Sequence, residues 1–224
     1  VNPFAAFRNH PRFIVTEKPF DEREPECRSE LLKNLLRTGG KPVLASPQVP
    51  QLIGREAMCF SRDGLKIFAL TRNPSRSEDS AKQTFIFPEQ GNIYELRQGK
   101  FLGNCSQVTL DIPRGETVLL GHYPYRITSL EVVAPSKVKA GTDLHARIAV
   151  CSDSGPAGTH IFNIKIIPPG NNQTTRLMSR NETAPAGHLN FNFRMAQNDP
   201  PGLWKLQVKD IMSGTICEHN FVLD

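Results

Sequence analysis

The chain has 224 residues, a formal net charge of +5 and 38% hydrophobic residues. This length suits two small domains or one large β domain, and the hydrophobic content supports a packed core. Basic residues are scattered, and the densest cluster, Arg72 to Arg76, is short. This pattern argues against a nucleic-acid partner. No apolar run approaches the roughly 20 residues that a membrane-spanning helix requires.

The chain begins with residues 1–24, which are rich in Pro, Phe and charge and show no periodicity. We interpret them as an extended segment that lies on the body or reaches back to a preceding domain. One helix is predicted next, at Glu24–Thr38, where Pro25 suits a helix start and Gly39 suits a stop. Its apolar face consists of Leu31, Leu32, Leu35 and Leu36. We expect this helix to cover a sheet.

After the helix the apolar period changes to two, which is typical of strands. The Arg62-Asp63-Gly64 sequence predicts a hairpin turn between strands at Glu56–Ser61 and Leu65–Leu70. A further turn is predicted at 89–92. The remaining strands of this half are predicted at Thr84–Phe87, Ile93–Arg97, Val108–Ile112 and Thr117–His122. Such short strands with frequent turns indicate a sandwich or barrel.

The Pro124-Tyr125-Arg126 stretch predicts a joint, because the strand pattern restarts beyond it. Seven strands are predicted in this second half, the number typical of an immunoglobulin-like sandwich. They are Leu130–Val133, Asp143–Cys151, His160–Ile167, Thr174–Ser179, Leu189–Met195, Leu203–Asp210 and Thr215–Leu223. The chain is therefore predicted to be mainly β, with two antiparallel β-sandwich domains. Residues 25–127 form the first, with its covering α-helix, and residues 128–224 form the immunoglobulin-like second.

The single tryptophan and the three tyrosines are aromatic residues that could contact a ligand. Trp204 is in phase with Leu206 and Val208, which favours a core position over an exposed sugar platform. Tyr94, Tyr123 and Tyr125 are better candidates for ligand contact at the surface. The alternative for the last two is that they pack the interdomain joint, which we favour because Pro124 separates them.

The five cysteines are widely spaced, and no Cys-x-x-Cys motif occurs, which argues against a structural zinc site. Cys151 and Cys217 lie on predicted strands of the second domain, so they could form a disulfide. Two buried free thiols are the equal alternative. His145 and His160 also lie on predicted strands and could form a metal pair, but no third ligand is indicated. We predict no metal site.

Signatures of catalysis and of cofactor binding are missing from the sequence. It contains no Gly-x-Ser-x-Gly elbow, no catalytic Cys-His signature and no phosphate-binding loop. We therefore expect no catalytic residue and no cofactor in this chain.

Two segments resemble known families. Asn92–Gly103, with its Gly-Lys-Phe-Leu-Gly sequence, resembles a ribbon of the β-domains that follow the barrel in bacterial β-galactosidase-like glycoside hydrolases. This resemblance covers about residues 25–127. In the second half, Asp199–Trp204 contains a Pro-Gly-Leu-Trp sequence that is similar to the turn of macroglobulin-type or bacterial immunoglobulin-like modules.

The resemblance implies a non-catalytic accessory or structural region of a larger secreted glycoside-hydrolase-like protein. A catalytic (β/α)₈ barrel needs about 250 residues and eight helices, whereas one helix is predicted here. The implied partner is a catalytic or other domain N-terminal to Val1, or another protein subunit. One alternative is a stand-alone module that binds carbohydrate or protein; a carbohydrate-binding module would take polysaccharide as its ligand. The other alternative is a structural protein of the cell envelope.

Overall fold

The architecture is mainly β, as the sequence predicts. A computed structural model describes residues 55–72, 82–170 and 178–224. These residues form thirteen strands and one short 3₁₀ turn at Pro185–Gly187. The predicted extended segment at 1–24 and the predicted helix at Glu24–Thr38 lie outside the described residues.

The first five strands form one antiparallel sheet in the order β1-β2-β5-β3-β4. Their bounds are β1 (Arg55–Arg62), β2 (Leu65–Arg72), β3 (Lys82–Glu95), β4 (Lys100–Asp111) and β5 (Thr117–Tyr123). The predicted hairpin is confirmed, because Arg62 pairs with Leu65 across a two-residue turn. Asp63 and Gly64 have φ angles of 51° and 77°, the left-handed conformations that such a turn requires.

The predicted turn at 89–92 is wrong, because these residues lie inside the single long strand β3. The register with β4 shifts between Ile86 and Gly91, which marks a β-bulge. Gly91 lies against the ring of His122, where a Cβ atom would clash. Its glycine therefore serves a close approach rather than a chain reversal. Phe87, which lies within this shifted stretch, packs on Phe68 with ring centroids 5.3 Å apart.

The second half forms two packed sheets, in the orders β10-β9-β12-β13-β7 and β11-β8-β6. Their strands are β6 (Ile127–Val133), β7 (Lys137–Val138), β8 (Asp143–Ser152), β9 (His160–Ile167), β10 (Ser179–Ala184), β11 (His188–Arg194), β12 (Gly202–Asp210) and β13 (Ile216–Leu223). Only β7 pairs in parallel, with β13. Most of the strand predicted at Thr174–Ser179 lies outside the described residues. The strand observed here, β10, carries a polar sequence and is defined by its pairing with β9.

Strand alternation places the core between these two sheets. Trp204, Leu206 and Val208 project inward from β12, and each is 0% exposed. The Trp204 indole N–H donates to the Pro200 carbonyl at 3.0 Å, so its only polar atom is satisfied. Its ring stacks on Phe221 at a centroid distance of 6.3 Å. The prediction that Trp204 belongs to the core is confirmed.

The disulfide suggested for Cys151 and Cys217 is not present, because both residues are free thiols. The alternation of the strands explains why. Cys151 follows the buried Val150 and is out of phase with the inward residues of β8. Cys217 is in phase with the inward Phe221 of β13 and packs against the core. The two side chains therefore project from opposite faces of their sheets and cannot meet.

The hypothetical metal pair is also separated by alternation. His145 projects outward from β8, and its Nδ1–H donates to Oδ1 of Asn192 at 2.7 Å. His160 is 0% exposed and projects inward from β9. Among the residues that the structure describes, no cluster of three or more His, Cys, Asp or Glu side chains could hold a metal ion.

Replacing Trp204 with Ala should lower the free energy of unfolding by about 3–5 kcal/mol, because it removes a fully buried aromatic ring. Leu203→Ala is the matched control, since Leu203 is the residue before Trp204 and its side chain is 60% exposed. We expect a change within about 0.5 kcal/mol for the control. Urea unfolding followed by circular dichroism measures both. Equal losses in the two variants would contradict this assignment of inward and outward faces.

Candidate functional site: a buried polar junction

The tyrosines that the sequence singled out meet where the first sheet contacts the sandwich. Tyr94 is the penultimate residue of β3, Tyr123 is the last residue of β5, and Tyr125 lies in the connection to β6. Their rings form a row, with centroids 5.3 Å apart for Tyr94 and Tyr123 and 6.4 Å apart for Tyr123 and Tyr125. They are 2%, 0% and 3% exposed. Because all three are buried, they pack the joint and offer no surface on which a ligand could stack.

A chain of hydrogen bonds leads from this tyrosine row into the sandwich. The Tyr125 hydroxyl lies 2.9 Å from Nε2 of His160, and Nδ1 of His160 lies 2.9 Å from Oδ1 of Asp210. The carboxylate can only accept, so Nδ1 carries the proton and donates to Asp210. In the neutral ring, Nε2 then accepts from the Tyr125 hydroxyl. That hydroxyl in turn accepts the backbone N–H of Gly158 at 2.7 Å.

The second carboxylate oxygen of Asp210 binds the turn between β12 and β13. It accepts the backbone N–H of Ser213 at 2.9 Å and the Ser213 hydroxyl at 2.6 Å. The carbonyl of Asp210 accepts the N–H of Gly214 at 2.8 Å. Asp210 and His160 are both 0% exposed, so these bonds replace the water that both side chains lose on burial.

This set of residues contains the types found in hydrolytic triads, but its geometry is structural. The Ser213 hydroxyl contacts Asp210 rather than His160. The free side of the imidazole is occupied by the Tyr125 hydroxyl. All four side chains are buried. A catalytic acid or base must be within reach of a substrate proton, which this burial prevents.

Sequence reasoning missed this cluster, although a signal for it exists. His160 is in phase with the inward Phe162, and Asp210 is in phase with the inward Val208. A polar residue at an inward position of a strand predicts a buried hydrogen-bond network. The pattern does not identify the partner, because His160 and Asp210 are 50 residues apart.

The three phenols differ in how their hydroxyls are satisfied. The Tyr94 hydroxyl accepts the backbone N–H of Ile127 at 2.9 Å. The Tyr123 hydroxyl is buried and has no hydrogen-bond partner within the described part of the chain. Burial raises the pKa of all three phenols above the ordinary value, so each stays neutral.

Backbone contacts also hold the junction together. Gly99, in the turn between β3 and β4, faces Gly214, in the turn between β12 and β13. A Cβ atom on Gly99 would lie 2.6 Å from the Cα atom of Gly214. Both glycines also have positive φ angles, of 63° and 76°. The two turns therefore touch backbone to backbone, a distance that only paired glycines allow.

The connection at Arg126 is bound to the sandwich at two points. Its N–H donates to Oδ1 of Asp153 at 2.8 Å, and its carbonyl accepts the Asp153 N–H at 3.0 Å. The first of these bonds is the main reason why the pKa of Asp153 is lowered. The Arg126 guanidinium lies 4.8 Å from the ring centroid of Phe101 on β4. The joint is thus connected to both units.

The hydrophobic core continues across the predicted domain boundary at residue 127. One buried cluster contains Leu65, Tyr94 and Tyr123 from the first unit together with Trp204 and Leu206 from the sandwich. A second cluster, around Phe68 and Leu120, belongs to the first unit alone. The division into domains at 25–127 and 128–224 stays a prediction.

No protein-family model matches the chain, and no curated protein sequence matches it. Among solved structures, superoxide reductase (neelaredoxin) from Ignicoccus hospitalis is 13% identical, with a TM-score of 0.33, over 44% of this chain and 82% of that one. A β-glucosidase from Listeria innocua is 13% identical, with a TM-score of 0.32, over 55% of this chain and 18% of that one. A mutant Salmonella alpha-2-macroglobulin is 11% identical, with a TM-score of 0.35, over 76% of this chain and 12% of that one.

These similarities all have TM-scores below 0.5 and assign neither a family nor a function. The chain spans less than a fifth of the β-glucosidase and of the macroglobulin. The resemblance to the β-domains of β-galactosidase-like hydrolases stays a prediction. The described residues include no helix of the length and apolarity that crossing a membrane would need.

Tyr→Phe variants at the junction compare the two tyrosine hydroxyls that form hydrogen bonds with the one that has no partner among the described residues. We expect Tyr94→Phe and Tyr125→Phe each to lower the free energy of unfolding by about 1–3 kcal/mol, because each leaves a buried partner without its hydrogen bond. Tyr123→Phe should be neutral or stabilising, because it removes a buried hydroxyl that has no partner among the described residues. Urea unfolding measures all three, and a Tyr123→Phe variant as unstable as Tyr125→Phe would contradict this hydrogen-bond pattern.

A glycine series tests the backbone contact between the two turns. Gly214→Ala should lower the unfolding free energy through both its positive φ and its clash with Gly99. Gly155→Ala is the control, because Gly155 has a φ of 65° and no atom within 4 Å of an added Cβ. The control should cost about 1–2 kcal/mol, the penalty of the left-handed conformation alone. Thermal and urea unfolding should show a larger loss for Gly214→Ala, and equal losses would refute the contact.

Proposed function

We propose that this chain is a non-catalytic β-domain region of a larger secreted protein of the glycoside-hydrolase type. Its role there is to hold neighbouring parts of that protein in a fixed arrangement. The observation that carries this proposal is the junction, where the buried Asp210–His160–Tyr125 chain joins the sandwich to the first sheet. These ionisable groups have a structural use, and their burial removes them from contact with a substrate.

The rigidity of the junction supports a spacer role. Two independent β units that move relative to each other need exposed linkers and few shared contacts. In this chain the connecting segment is buried at Tyr125, and the Gly99 and Gly214 turns are in backbone contact. Side-chain motion at such a packed joint would leave buried polar groups unsatisfied, which is costly.

The ribbon that carries the family resemblance takes part in this junction. Asn92–Gly103 forms the end of β3, the turn and the start of β4. Its first motif glycine, Gly99, makes the contact with Gly214, and its last, Gly103, lies at a register shift with a φ of 128°. The structure thus explains why glycine occupies both positions of the motif, through a backbone contact at Gly99 and a positive φ angle at Gly103. The secreted location and the attached hydrolase domain follow from the resemblance and are part of the proposal.

The purified chain should show no turnover of chromogenic glycosides, esters or peptides from about pH 4 to 9, because the His160–Asp210 pair of the junction is buried out of reach of a substrate. The same sample should unfold in one transition seen by two probes. Fluorescence of Trp204, the single tryptophan, reports on the sandwich. Near-ultraviolet circular dichroism of the three tyrosines reports on the junction.

Two results would overturn the proposal. One is a reproducible hydrolytic rate that is lost when an exposed carboxylate such as Glu131 is changed to Gln. The other is an unfolding transition of the tyrosine signal well below that of Trp204, which would mean that the junction is loose. The control for the second measurement is Gly214→Ala, which should separate the two transitions or lower both.

A further inference from the structure

The outer face of the β11-β8-β6 sheet carries a groove of about 440 Å³ that the structural role leaves unexplained. Two rows of side chains cross it. Glu131, Ala149 and His188 are register partners in the first row, and Val133, Arg147 and Asn190 are partners in the second. Because register partners project from the same face, all six side chains point to this groove. Ala149 lies at the centre, and its small side chain leaves the open space.

The polar side chains of this groove are unused within the described residues. Glu131, Arg147, His188 and Asn190 make no side-chain hydrogen bond or ion pair with another described residue. The next two rows of the same face are different. His145 is hydrogen-bonded to Asn192 at 2.7 Å, and Arg194 is paired with Asp143 at 3.1 Å. Unpaired polar groups therefore concentrate where the surface is concave.

The chemistry of these groups fits a ligand that both donates and accepts hydrogen bonds. Glu131 accepts, Arg147 donates, and Asn190 and His188 do both. The one full positive charge stands beside one full negative charge, so the groove favours neither anions nor cations. Val133 is 48% exposed and supplies an apolar wall. Neutral sugars present hydroxyl groups and one apolar ring face, which matches this lining.

Two other classes of ligand fit less well. An extended peptide gains affinity through main-chain hydrogen bonds at a sheet edge. The groove lies over β8, which is paired with β6 on one side and with β11 on the other; the edges of this sheet belong to β6 and β11 and lie at the sides of the groove rather than within it. A phosphate or nucleic acid would gain from Arg147 but would be repelled by Glu131. The volume also lies within the range of small-molecule sites, about 300–1,000 Å³.

We propose that this groove binds a short neutral saccharide through Glu131, Arg147, His188 and Asn190. Binding is weak, with a dissociation constant on the order of 1 mM, because hydrogen bonds to sugars replace hydrogen bonds to water and no exposed aromatic ring in the lining adds stacking. The site is independent of the non-catalytic role proposed above, since it lies on the solvent face and not at the junction.

The test is a two-dimensional amide NMR titration of the full chain with cellobiose, maltose, lactose and xylobiose, each added separately. At least one disaccharide should cause saturable shifts centred on residues 131–133, 147–149 and 188–190. Arg147→Ala should weaken that binding by about tenfold or more. Ala149→Leu fills the groove while keeping every polar group, and it should abolish the shifts. Both positions face outward, and the spectrum itself reports whether each variant is folded.

Arg194→Ala is the matched control, because Arg194 lies on the same face but outside the groove, and it should leave binding unchanged. Three results would overturn the proposal. They are no groove shifts with any of the four disaccharides, shifts that survive both Arg147→Ala and Ala149→Leu, and groove shifts caused only by inorganic phosphate or by a short peptide. None of these results would affect the prediction of a rigid, non-catalytic junction.

Discussion

Two ionisable side chains that lose all contact with water must find every hydrogen-bond partner inside the protein. In this chain they are His160 and Asp210, and their hydrogen bonds join three segments, namely the connection at Tyr125, β9, and β12 with the turn that follows it. Tyr125 reaches the imidazole from the connection between the units, and Ser213 reaches the carboxylate from a hairpin turn. Because an unsatisfied buried charge costs several kcal/mol, these segments can take only one arrangement relative to one another. The geometry of the junction follows from that requirement.

The other contacts at the junction are consistent with this arrangement. The Ser213 turn that completes the Asp210 site also presents Gly214, which meets Gly99 of the first sheet. The connection that carries Tyr125 continues to Arg126, which is bound to Asp153. The Tyr123 hydroxyl, which has no hydrogen-bond partner among the described residues, packs against Gly121. A Cβ atom at position 121 would clash with it. Packing of the tyrosine row has outweighed the cost of one orphan hydroxyl.

The two faces of β8 illustrate how one strand serves two purposes. Leu144, Ala146, Ile148 and Val150 project inward and fill the sandwich core. The intervening residues project outward, where Arg147 and Ala149 form the middle of the groove. Substitutions on the inward face are restricted to apolar side chains of similar volume, since each residue there is packed. The outward face carries the chemistry that we assign to a neutral sugar, and it can change without affecting the core.

Local features of the structure were readable from the sequence. The Arg62-Asp63-Gly64 hairpin and the core position of Trp204 depend only on turn preference and on a period of two, which are properties of neighbouring residues. The mainly β architecture follows from the same pattern. The Asn92–Gly103 segment forms a strand, a turn and a second strand, although its sequence did not predict what its glycines contact. The phase of Cys151 could also have been read from the sequence, since Val150 precedes it in an alternating strand, yet the possible disulfide with Cys217 was predicted without it.

What the sequence alone determined is therefore the inward phase of alternating strands such as β12 and the position of the hairpin turn between Arg62 and Leu65. Only the tertiary structure decided that Gly91 belongs to a bulge, that the candidate tyrosines are buried, and that His160 binds Asp210. The groove likewise depends on register, which brings Glu131 and His188 to the two sides of Ala149. The physical reason is distance along the chain. Tyr125 and His160 are 35 residues apart, and no local preference specifies which distant segment satisfies a buried polar group.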